Sequence, residues 1–346
     1  MKLGLTYVVI RSHALIADLM TPEQMGELAE QGTIADFTEK LAGTIYGTIA
    51  VEEGGDPSIA LEKEFFLKFI ERMTKIVDIA PTKMGKFLQA YYYLRFEVLN
   101  LKRILRGKFS ELPVEEIKGY LVPMEPYQVP SYEELVEAES LEETVAMLRR
   151  TPYSSIEASL EFVKEYDALW PIEQALNHLY AITVLKSLDS LSQGDRTLVR
   201  SILRFEVNVE NLLNAIKHRR LKKDDQEAQK LEELFPITFD IDLDKIKALI
   251  DADDLRTAVQ DLGAPYDEIL SPIYEGDVAL IRARVRRHTY EIVSHARAVD
   301  NFGFNVIMAY LIFSELEKND LVGIAWGITQ GISAEDLTKY LSVSES

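Results

Sequence analysis

His288, Glu291 and His295 fall at i, i+3 and i+7, which puts two imidazoles and a carboxylate on one helix face. Such a trio could ligate a divalent metal. Arg282, Arg284, Arg286 and Arg287 share the same stretch, and their charge opposes a bound cation. The pattern therefore favours surface or ion-paired side chains over a metal site. Those arginines could grip a phosphate, but in an acidic chain pairing with its own carboxylates is the stronger reading. Glu97, Glu206, Glu315 and Glu317 are the other candidates for acid–base work. With no histidine, metal or cofactor signal beside them, solvated or interface carboxylates are favoured over catalysts. None of the five histidines has a glutamate three residues earlier, so the di-metal bundle pattern is absent. Gly85-Lys86 and Gly107-Lys108 are each followed by phenylalanine, which rules out a phosphate-cradling P-loop there.

Two basic clusters follow helical stretches: Lys102, Arg103 and Arg106, then Lys217, Arg219, Arg220, Lys222 and Lys223. Cations at a helix C-terminus complement its dipole, typically by ~0.3–1 kcal/mol. The sharper alternative is contact with a partner's carboxylates. The run Tyr91 to Tyr93 reads as core and interface packing.

The element that must position most of these residues covers positions 87–108. Phe87, Tyr91, Leu94, Val98, Leu101 and Leu105 alternate in steps of four and three, lining one helix face. Glu97 and Asn100 border that face. Adding 111 to each apolar position gives Leu198, Ile202, Phe205, Val209, Leu212 and Ile216, and turns Asn100–Leu101 into Asn211–Leu212. A further 109 residues on lies Asp320–Leu321, in a weaker copy that keeps Ile307, Leu311 and Ala325. A second landmark tracks the first. Tyrosines close LAGTIY, LRRTPY and LGAPY at Tyr46, Tyr153 and Tyr266. From there to the following Asn/Asp–Leu pair runs 54, 58 and 54 residues. Two markers drifting together indicate three diverged copies of one unit, bounded near 1–110, 111–223 and 224–346.

The chain has 346 residues, 47% of them hydrophobic and 27% charged, which fits a globular protein. Its formal charge of −19 disfavours nucleic acid and unassisted docking on anionic lipid. Without cysteine there is no disulfide, thiolate zinc site or thiol nucleophile; this fits a reducing compartment. No segment offers the ~18 consecutive apolar residues of a spanning helix. The apolar run 3–10 stops at Arg11 without a cleavage site, so no signal peptide is expected.

In chain order, residues 1–20 favour helix over strand. Thr21-Pro22-Glu23-Gln24 signals a helix start, and a glycine turn is expected at 53–57. Residues 61–79 are amphipathic and stop before Pro81. Prolines 113, 123, 126 and 130 mark a connector; Ser131, Ser140 and Ser333 read as N-caps. Gly107 suits a helix C′ position. The segment 222–233 is highly charged and precedes a second connector at Phe235-Pro236. Strand signals are nearly absent. The expected class is all-α, each copy a small helical bundle.

The segments LRFEVLNLKRILRGK (94–108), RFEVNVENLLNAI (204–216) and SELEKNDLVGIAWGI (314–328), with TIY, TPY and APY, carry a resemblance over nearly the whole chain. The chain resembles the C subunit of archaeal A-type ATP synthases and bacterial V-type ATPases, whose eukaryotic relative is the V-ATPase d subunit. The resemblance implies three helical domains in a quasi-threefold funnel. It implies a rotor part on the cytoplasmic side of the membrane, one copy per complex, peripheral and without a membrane span. Its partners would be the membrane ring (proteolipid) subunits and the central axle, with no cofactor, metal or catalytic residue. Candidate interface residues are Glu97, Asn100, Glu206, Asn211, Glu317, Asp320 and Trp326; for each, packing or capping within its own domain is the stronger reading. Asp320 departs from the asparagine of the other copies, and Asn214-Ala215 interrupts the basic tail of the first. Two rival readings remain: a free-standing α-helical adaptor or scaffold, and an all-α enzyme using the His288–Glu291–His295 face.

Overall fold

The computed structural model describes residues 4–47, 49, 56–221 and 231–343, and every regular element among them is helical. Most of the expected glycine turn (53–55) and of the charged run (222–230) lies outside the described residues. Residues 5–17 are helical, as favoured: α1 (Leu5–Ala17) is followed by α2 (Pro22–Ala29) and α3 (Ile34–Leu41). Thr21 and Gln24 close a full capping box at α2, satisfying two otherwise orphaned donors reciprocally. Asp56 caps α4 (Pro57–Ile79), which ends where Ala80, forced extended by Pro81, leaves the helix.

The repeated stretches form the longest helices of their copies: α5 (Thr82–Phe109), later α11 (Gln193–Leu221) and α17 (Phe304–Thr329). After α5 come α6 (Val114–Gly119), α7 (Tyr132–Glu137), α8 (Leu141–Met147), α9 (Ser159–Tyr166) and α10 (Trp170–Ser187). After α11 come α12 (Leu231–Leu234), α13 (Leu243–Asp251), α14 (Leu255–Gln260), α15 (Tyr266–Leu270) and α16 (Val278–Val299). The chain closes with α18 (Ala334–Lys339). Ser131, Ser140, Asp242, Asp254 and Ser333 all cap helices through their side chains.

Gly107 does not end α5; the helix runs two residues further. A Cβ there would collide with the Ile117 side chain of α6. The glycine is needed for close helix approach rather than for a left-handed turn. Gly327, near the matching position of α17, is likewise pressed against Leu337 of α18.

Two compact units emerge. The first holds Met1–Lys86, Gln193–Leu198 and Pro272–Ser346. Its axis is α17, apolar nearly all round and buried along most of its length, with α1, α4 and α16 packed on it. One core cluster joins Met25, Phe37, Tyr46 and Phe65 to Leu321, Ile324, Leu337 and Leu341, residues from opposite ends of the chain. The second unit holds Phe87–Ser192 and Val199–Ser271. There Tyr91 and Tyr92 are fully buried, and Trp170 stacks on Tyr166 and Phe235 beside His218.

Candidate functional site

The sequence-selected residues sit on the three long helices, and most of them face inward. Glu97, on α5, is 1% exposed. Its Oε2 accepts the backbone N–H groups of Tyr127, Gln128 and Val129 at 2.6, 2.7 and 3.1 Å, and its Oε1 accepts the Tyr153 hydroxyl at 2.7 Å. The proline-rich connector after α5 is thus folded around one buried carboxylate. Tyr153 stays protonated as a donor, because burial and then the Glu97 charge push its pKa up.

Glu317, on α17 in the first unit, repeats this chemistry. Its Oε1 accepts from the Tyr46 hydroxyl at 2.7 Å and Arg72 Nη1 at 2.6 Å; its Oε2 accepts the Met20 N–H at 2.6 Å. Burial first, and Glu317 next, raise Tyr46 well above its ordinary pKa. In α11 the same repeat position is Asn208, whose Nδ2 donates to the Tyr266 hydroxyl at 2.7 Å and to Asp240 at 3.1 Å. Its Oδ1 meets the Ile241 N–H at 3.5 Å.

One turn further along each helix, Asn100, Asn211 and Asp320 hold the returning chain. Asn100 exchanges two bonds with the Val122 backbone, at 2.7 and 3.1 Å. Asn211 donates to Ile237 O at 2.8 Å and accepts from Gln174, next to His178, which burial lowers to about pKa 4. Asp320 accepts the Ser342 N–H at 2.8 and 2.9 Å and the Ser342 hydroxyl at 2.8 Å.

Arg286 lies 3.7 Å from Asp320, but desolvation outweighs the attraction and lifts the carboxyl to about pKa 6. Below its ordinary value near 3.8 the group is neutral in both folded and unfolded chains. Between there and about pH 6 the unfolded chain ionises first, so native stability falls as pH rises; above that the penalty is constant. Asp320→Asn should therefore gain on the native protein as pH rises from about 4 to 7, reaching about 2–3 kcal/mol. Urea unfolding at a series of pH values measures the difference, and a difference that stays flat would contradict the buried charge.

Glu206 and Trp326 keep partly exposed atoms. Glu206 pairs with Arg95 at 2.6 Å, and Trp326 Nε1 donates to Glu62 at 3.2 Å. The arginines of α16 do more than meet carboxylates: Arg286 and Arg287 donate to the carbonyls of Tyr340, Leu341 and Lys339. Basic residues at the end of α5 also find specific partners; Arg103 donates to Tyr120 O and Arg106 pairs with Glu173. His288 Nδ1 lies 3.2 Å from Glu291, and among the described residues no group of three potential ligands could hold a metal.

Glu97 and Glu317 are not solvated, a point that residue spacing leaves open. Their carboxylate oxygens are already engaged by protein donors, so they can hold segments together but are poorly placed to take a substrate proton. Sequence reading missed Asn208, Arg72 and the bonding role of the three tyrosines. The signal was available: adding 111 to 97 reaches 208, and a further 109 reaches 317.

A match to the family described as ATP synthase (C/AC39) subunit spans residues 8–340. The chain is 26% identical to the A-type ATP synthase C subunit of Methanocaldococcus jannaschii, over 97% of this chain and 85% of the relative. It is 25% identical to that of Methanosarcina mazei, over 97% and 92%. The corresponding protein of Methanothermobacter thermautotrophicus is 24% identical, over 92% and 82%. Three long helices, each pinned to its neighbours by a buried Glu or Asn and a tyrosine, thus form the framework of a chain that belongs to the ATP synthase (C/AC39) subunit family.

Proposed function

We propose that this chain is a non-catalytic central-stalk rotor subunit of an A- or V-type rotary ATPase. It forms a socket that couples the membrane ring of ion-carrying subunits to the central axle. In this reading the copies at 1–110, 111–223 and 224–346 stand in a quasi-threefold funnel whose open end receives the axle. One copy serves each complex, peripheral to the membrane on its cytoplasmic face. The observation that carries the reading is the family match across residues 8–340.

Physical features support it. No helix among the described residues is long and apolar enough to cross a membrane. A torque coupler must lose little motion to its own deformation, and long helices tied to a connector and to a neighbouring helix by charge-assisted bonds resist deformation. Glu206 and Trp326 are assigned direct partner contacts. Glu97, Asn100, Asn211, Glu317 and Asp320 shape the interface through the segments they hold.

Cells lacking this chain are expected to keep an ATP-hydrolysing head while losing ion-coupled ATP turnover. Membrane vesicles from the deletion strain test this, together with a pull-down of the tagged chain probed for ring and axle subunits. Unchanged coupling would overturn the rotor reading. Recovery of unrelated partners alone would favour an adaptor.

A further inference from the structure

We infer that the folded module of this chain is offset from its sequence repeat. The long helix of each copy is latched by the opening segment of the next copy, and the N-terminal segment wraps back as a strap that latches the last helix. Three sets of contacts carry this independently of any rotor role.

The first set is the tyrosines. Tyr153 belongs to the second copy but bonds Glu97 of the first copy's helix, at 2.7 Å. Tyr266 belongs to the third copy and bonds Asn208 of the second copy's helix, at 2.7 Å. Tyr46, in the first copy, bonds Glu317 of the third copy's helix, also at 2.7 Å and across 271 residues of sequence.

The second set is a backbone N–H from just before the segment's first capped helix. Val129 donates to Glu97, Ile241 lies 3.5 Å from Asn208, and Met20 donates to Glu317. The donors Met20, Val129 and Ile241 precede the N-caps Thr21, Ser131 and Asp242 by one or two residues. Each helix is therefore gripped at one residue by two points about 25 residues apart in the latching segment.

The third set is the core of the first unit. Met25, Leu28, Phe37, Leu41 and Phe65 pack in one cluster with Leu321, Ile324 and Leu337. The strap thus closes on α17 by burial as well as by polar bonds. Its latch is also reinforced by a largely buried arginine, since Arg72 of α4 meets the same Glu317 oxygen as Tyr46. Where the other two latches follow their helix along the chain, this one must find a partner near the opposite terminus, and the ion pair makes that register specific.

Amide hydrogen exchange on full-length Tyr→Phe variants tests the offset, because each substitution deletes one hydroxyl and leaves the ring in place. Tyr46→Phe should speed exchange about tenfold in α17 near residues 314–320, Tyr153→Phe in α5 near 94–100, and Tyr266→Phe in α11 near 205–211. Faster exchange instead in each tyrosine's own copy (α5, α11 and α17 respectively), or no change in any long helix, would overturn the inference. A double-mutant cycle gives a second readout. Tyr46→Phe and Glu317→Gln should be strongly non-additive in unfolding, whereas Tyr46→Phe and Glu97→Gln should combine additively. Additivity in the first pair would equally sink the strap.

Discussion

Glu317→Ala is expected to lower the stability of the first unit by about 3–5 kcal/mol. The Arg72 side chain is 13% exposed, and it meets the Glu317 carboxylate at 2.6 Å. Removing that carboxylate strands a largely buried guanidinium, the Tyr46 hydroxyl and the Met20 N–H together. Breaking one side of a buried pair is far more damaging than replacing both sides by apolar groups of similar volume. Arg72→Met combined with Glu317→Leu should therefore recover much of the loss. Glu317→Gln should fall between, since it keeps an acceptor oxygen but turns its amide NH2, itself a donor, toward one of the donors. Urea unfolding of the four proteins checks the order. A loss below about 1 kcal/mol for Glu317→Ala would mean the pair behaves as a surface salt bridge.

Glu97→Ala should have a comparable effect in the second unit, about 2–6 kcal/mol, because the Val129 N–H and the Tyr153 hydroxyl are buried donors and each left without an acceptor costs about 1–3 kcal/mol. Four donors converge on this side chain, three of them consecutive backbone N–H groups of the connector. Water entering the vacated space would relieve part of the cost. The damage should be local as well as global. Residues 121–131 should become sensitive to limited proteolysis before the long helices unfold. Glu97→Gln retains one strong acceptor and should leave the connector largely protected. Equal protease resistance in wild type and Glu97→Ala would show that the connector is held by its prolines and packing instead.

Both predictions concern residues that the sequence marked without revealing their role. Glu97 and Asn100 stood out as polar residues bordering an apolar helix face, and for Glu97 a solvated or interface carboxylate was a reasonable reading. Periodicity reports which side of a helix is buried, but a carboxylate at the border of that side looks the same whether water or three amides surround it. Trp326 and Glu206, singled out with them as interface candidates, keep partial exposure beside Glu62 and Arg95.

The helical class, the N-caps at Thr21, Ser131, Ser140 and Ser333, the stop before Pro81 and the threefold recurrence of the tyrosine and Asn/Asp–Leu markers were all legible along the chain. The caps and stops depend on interactions within one or two turns, which residue spacing encodes directly. The pairing of Tyr46 with Glu317 and of Tyr153 with Glu97, the close approach at Gly107 and the burial of Asp320 beside Arg286 were not legible. These depend on which distant segments converge, and convergence follows from packing whole helices together rather than from residue spacing along one of them.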